Sequence, residues 1–123
     1  MSPAECLAHL GDSSDNVLGR RDFPPSRAPR GAALMKWIAL YAPLPWPRGR
    51  IVGPSRTDPR REGSRPGDFE RDKARVVEGL RALAAAADAD VTKVHPSFGA
   101  MTLRDWHRWA YRHVEHHLRQ FGV

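Results

Sequence analysis

Between Thr102 and Gly122 the apolar residues recur at helical spacing, and nowhere in the chain is there a convincing run with the period of two that a half-buried strand needs. Helices must therefore pack on helices. Projected at about 100° per residue, Trp106, Ala110, His113 and His117 share one narrow stripe, with Leu103, Val114 and Phe121 on one side and Trp109 on the other. His113 and His117 thus point into the protein. Opposite them lie Arg104, Arg108, Arg112, Glu115 and Arg119, which read as a solvated face. Thr102 and Asp105 have capping-box spacing, with Asp in place of the usual Glu, and Gly122 supplies the C-terminal stop.

Three more segments read as helices. Ser2, Pro3 and Glu5 form an N-cap, a first-position proline and a capping-box acid, so a helix starts at once and is expected to run to about Arg20. Pro24, Pro25 and Pro29 impose a loop. Ala32 to Tyr41 is a short apolar helix offering Leu34, Trp37, Ile38 and Tyr41 for packing, and Pro43, Pro45 and Pro47 end it. Arg48 to Gly67 is rich in Pro, Gly, Arg and Ser and reads as an extended, exposed connection. Asp68 caps a helix through Phe69, Val76, Val77, Leu80, Leu83 and Ala84, and Val94 to Gly99 is a turn into the last helix. The expected class is all-α, with three substantial helices, one short helix and a long Pro/Arg-rich connection.

A chain of 123 residues suits one domain with one core. It has no apolar run of about 18 residues and no basic-then-apolar leader, so the expectation is a cytoplasmic protein without a membrane partner. Cys6, the single cysteine, excludes an internal disulfide. The net charge of +6 arises from 17 arginines against three lysines. These are scattered, and Trp106 and Trp109 lie on an inner arc, whereas a nucleic-acid groove clusters basic residues with exposed aromatics; nucleic acid is disfavoured as a partner.

Two inward imidazoles one turn apart can converge on one metal ion, because i and i+4 side chains stack on one face and neutral imidazole suits Zn, Ni, Cu or Fe. A third ligand must come from another helix. His9 is the candidate, on the other helical segment with an unexplained apolar-side histidine. The competing reading is a set of hydrogen-bonded core histidines. His116, at the edge of the arc, would support the ligands. Trp106 and Trp109 are pocket walls or core. Cys6, one turn before His9, is a ligand, a reactive thiol or a small buried hydrophobe. His95 is a turn or capping residue and His107 a boundary residue.

The segments Met1-Ser-Pro-Ala-Glu-Cys-Leu-Ala-His9, Ala42-Pro-Leu-Pro-Trp-Pro-Arg-Gly49, Pro66-Gly-Asp-Phe-Glu70, His95-Pro-Ser-Phe-Gly99 and Arg112-His-Val-Glu-His-His-Leu-Arg-Gln-Phe-Gly122 occur in that order. Together they resemble a bacterial branch, a domain of unknown function, of the DinB-like (YfiT-like) superfamily of four-helix bundles. The resemblance implies a divalent metal, Zn, Ni or Fe, held by one histidine of the second bundle helix and two at i, i+4 of the fourth. Here these are His9, His113 and His117. It further implies a helix ahead of the position of Met1, so residues 1–123 read as an N-terminally incomplete DinB-like domain. In-frame sequence upstream is expected to encode an amphipathic helix.

Three imidazoles leave an open position, the mark of a catalytic rather than a structural metal site. Related branches are thiol-dependent transferases or isomerases, so the expectation is an S-transferase using a low-molecular-weight thiol, or a hydrolase, on a small-molecule substrate. Asp12, Glu5 and His116 are the nearest candidate proton carriers. The alternative is a non-enzymatic helical binding module, with a homodimer formed through an exposed helix face.

Overall fold

Residues 1–21 and 27–123 are described by a computed structural model. Among them run four α-helices, α1 (Pro3–Val17), α2 (Ala32–Tyr41), α3 (Phe69–Ala85) and α4 (Leu103–Gln120). The loop expected around Pro24 and Pro25 lies outside the described residues.

Three of these helix starts follow side-chain caps, and α2 begins without one. Ser2 accepts from the Glu5 N–H while Glu5 accepts from the Ser2 N–H; Asp68 accepts from the Arg71 N–H; Thr102 and Asp105 close the reciprocal box on α4. α1 stops at Val17, short of the expected Arg20, because Gly19 takes a left-handed conformation at φ 67°.

α1 packs most extensively on α3. Gly79 permits this approach: a Cβ there would stand 2.8 Å from the Ser14 Cβ. Polar groups bind the pair as well. The fully buried Asp12 accepts from Arg75 at 2.8 Å and pairs with Arg21, and Arg75 also bonds Asp15 at 2.6 Å. The core divides into Val17, Leu40, Leu83, Val91, Met101, Trp106 and Ala110, and a smaller group of Cys6, Leu10 and Val76.

α2 lies against α4, with Leu40 wholly buried. Lys36 and Tyr41 both donate to Asp105. The face of α4 expected to be solvated is not uniformly so. Arg108 donates to the Leu40 carbonyl at 2.7 Å, and Arg112, only 10% exposed in its side chain, donates to the carbonyls of Ala39 and Leu44. The end of α2 has no basic residue of its own, so its orphan carbonyls are satisfied from α4.

The connection from Arg48 to Gly67 is not simply extended and exposed. Ser55–Thr57 forms a 3-10 turn, and Thr57 is 2% exposed. Ser64 donates its N–H and hydroxyl to Asp12, each at 2.6 Å. The buried carboxylate needs donors, and the connection supplies them. The expected turn over 94–99 closes with a short ladder: β1 (Val94–His95) pairs antiparallel with β2 (Gly99–Ala100), His95 opposite Gly99. No helix among the described residues is long and apolar enough to cross a membrane.

Candidate metal centre

His9 projects from the middle of α1 and meets His113 and His117, which α4 presents one turn apart. The Nε2 atoms of His9 and His113 are 3.0 Å apart, those of His113 and His117 3.2 Å, and the ligating atoms of all three lie within 4.8 Å of one another. Among the described residues no carboxylate or thiol joins this group.

The opposite ring nitrogens fix the tautomers. His9 donates from Nδ1 to the Thr57 carbonyl at 2.7 Å, so in the neutral ring its Nε2 carries a lone pair. His117 donates from Nδ1 to the Gln120 Oε1 at 3.2 Å, with the same result. Gln120 in turn donates its amide to the His116 Nε2 at 3.1 Å, and His116 also bonds the Trp46 backbone. A chain of contacts from Trp46 through His116 and Gln120 therefore orients His117. Outer partners of this kind set ring orientation and basicity in metal sites.

Burial keeps the imidazoles neutral. It lowers His9, against an opposing pull from the Thr57 carbonyl, and it drives His113 well below its ordinary value, with His9 and His117 adding to the effect. His117 falls to about 4, by burial first and then by the proximity of His9. Neutral nitrogens are the form a metal binds. Ligand nitrogens of a tetrahedral ion bonded at about 2.1 Å stand roughly 3.4 Å apart, close to the 3.0 and 3.2 Å found here. The three ring nitrogens lie close enough together to hold a metal ion.

The remaining candidates divide. Trp109 lies against His113, ring centroids 4.6 Å apart, and Trp46 faces the same ring at 6.3 Å. Trp106 is 2% exposed, belongs to the core and donates its indole N–H to Thr92. Cys6 packs with Leu10 and Val76 outside the histidine group, and burial raises its thiol to about 11, away from the thiolate a ligand or nucleophile requires. Asp12 and Glu5 are engaged elsewhere, Asp12 by Ser64, Arg75 and Arg21, and Glu5 by Ser2 and Arg60. His95 stacks on Phe98 and accepts from the Ser97 N–H as a turn residue does, and His107 reaches the Leu83 carbonyl. Thr57, Trp46 and Gln120 were not singled out by sequence. Gln120 shares a helix face with His117 at i+3 and carried a signal; Thr57 contributes a main-chain carbonyl and carried none.

A family model described as the DinB superfamily matches residues 1–121. No curated protein and no solved structure matches the chain. The matched span includes all four helices and the three converging histidines, and the helical architecture agrees with it. On that match the chain belongs to the DinB superfamily.

Proposed function

We propose that the protein is a metal-dependent enzyme in which His9, His113 and His117 hold one divalent ion, Zn, Ni or Fe, and that its reaction is transfer to or from a low-molecular-weight thiol. The observation that carries this reading is the convergence of three neutral ring nitrogens, two of them with the opposite nitrogen tied to an acceptor. A bound ion would supply Lewis acidity, lowering the pKa of a water or thiol so that it can attack at neutral pH. Thr57 and Gln120 hold two of the rings in place. Trp109 and Trp46 wall His113 with apolar surface, which limits water there. The preference for thiol chemistry over hydrolysis rests on analogy with thiol-dependent branches of the superfamily.

A second reading, a non-enzymatic binding module that dimerises, draws support from α2. Its outer face exposes Leu34, Trp37 and Ile38 at i, i+3 and i+4 spacing. Turnover assays separate the two. Metal-loaded protein is offered electrophiles with a low-molecular-weight thiol, and esters and amides without one. Thiol-dependent turnover that disappears in H113A/H117A supports transfer, and turnover without thiol assigns hydrolysis. Metal retained with no turnover in either panel favours the binding module.

A further inference from the structure

Beside the histidine centre lies a cavity of about 430 Å³, bounded by Trp46 and Arg48 on one side and by Arg112, Glu115, His116 and Arg119 of α4 on the other. Three guanidinium groups here face the single carboxylate of Glu115, which already accepts from Arg119 at 2.8 Å and from Arg112 at 3.4 Å. Arg112 is further committed to the carbonyls of Ala39 and Leu44. Arg48 bonds the Arg119 carbonyl at 3.1 Å through one nitrogen, and Arg119 bonds Glu115 through one. A guanidinium has five donors, so both retain N–H groups that these contacts do not use. Trp46 is a fixed wall because its indole N–H donates to the Ala39 carbonyl at 2.7 Å. The volume falls in the range of about 300–1,000 Å³ occupied by small-molecule pockets.

We infer that Arg48 and Arg119, backed by Arg112, bind the oxyanion of a small molecule, a carboxylate or a phosphate, against Trp46. Planar, forked donors suit such groups, and an excess of cations over carboxylates selects for them. The cavity adjoins the histidine centre. His116 lines it with its ring 5.2 Å from that of His117, and Trp46 faces both His116 and His113. If the metal reading holds, the oxyanion is the far end of the substrate or thiol; that clause rests on the proposed centre, whereas oxyanion binding does not.

The test follows the Trp46 indole N–H resonance, assigned with Trp46→Phe, during titration with inorganic phosphate or succinate at constant ionic strength, in untreated and chelator-treated protein. A saturable shift with either probe is expected in both preparations, weakened about tenfold or more in R48Q/R119Q. Saturation with phosphate alone or succinate alone identifies the source of the oxyanion. Absence of a saturable shift with both probes overturns the proposal, as does equal affinity in the double variant. A shift that disappears on chelation also overturns it, since the anion would then be a metal ligand. Should the double variant fail to fold, R48Q carries the same comparison, because Arg48 is exposed and holds one main-chain carbonyl.

Discussion

Gln120 uses both ends of one amide, its oxygen on the His117 Nδ1 and its nitrogen on the His116 Nε2. Replacing it with leucine keeps the bulk and removes both bonds. Gln120→Leu is expected to weaken metal binding about 10- to 100-fold while the helix stays intact; competition against a chelator with circular dichroism checks both, and unchanged affinity would remove Gln120 from the centre. Asp12 shows how a buried charge is kept. Burial opposes its ionisation, but Ser64, Arg75 and Arg21 outweigh burial and hold the carboxyl below the usual 3.8. A carboxyl with a depressed folded pKa stabilises above its unfolded value and loses that contribution as pH falls through the folded one. The wild type should therefore lose stability below about pH 4 more steeply than Asp12→Asn. At neutral pH that variant should be less stable by about 3 kcal/mol, since it leaves Arg75 short of a partner; urea unfolding across pH reads both. At this scale the sequence showed His113 and His117 sharing a face, because helix geometry alone dictates it. It did not show Thr57, whose partner His9 lies 48 residues away and bonds only its main chain.

Between elements, the closest packing has a glycine at its centre. Gly79→Ala would gain about 1 kcal/mol of helix propensity, yet its new methyl would stand 2.8 Å from the Ser14 Cβ, an atom fixed to the α1 backbone. Overpacking of this kind costs about 1–3 kcal/mol, so a net loss is expected in thermal unfolding, and a stabilised variant would show that α1 and α3 can separate freely. Caps and apolar stripes made α1, α3 and α4 legible, and an apolar run bounded by prolines made α2 so, with α1 ending three residues early at a glycine that prefers a left-handed turn. Periodicity marks an apolar face but not what covers it, or whether anything does: Leu34, Trp37 and Ile38 of α2, expected to pack, are exposed. Arg108 and Arg112 were thus read as solvated, whereas their long side chains reach across to the carbonyls at the end of α2.

For the whole molecule, the exposed apolar stripe lies on α2 and the histidine group on α1 and α4, so the proposed self-association and the proposed metal binding use different helices. If a second copy covers the stripe, Trp37→Glu converts a dimer to a monomer in sedimentation without altering metal content; a monomeric wild type would remove the dimer reading. The family was legible in a few ordered segments, and its match over residues 1–121 agrees with the helical fold. Reaction and substrate were not, because a group of three histidines by itself names neither. Whether His9, His113 and His117 ligate a metal is decided by the metal content of the purified protein, measured by mass spectrometry. Purified wild type is predicted to hold about one equivalent of Zn, Ni or Fe, and folded H113A/H117A none. A folded wild type without metal, or a double variant that retains it, would rule out ligation by these histidines.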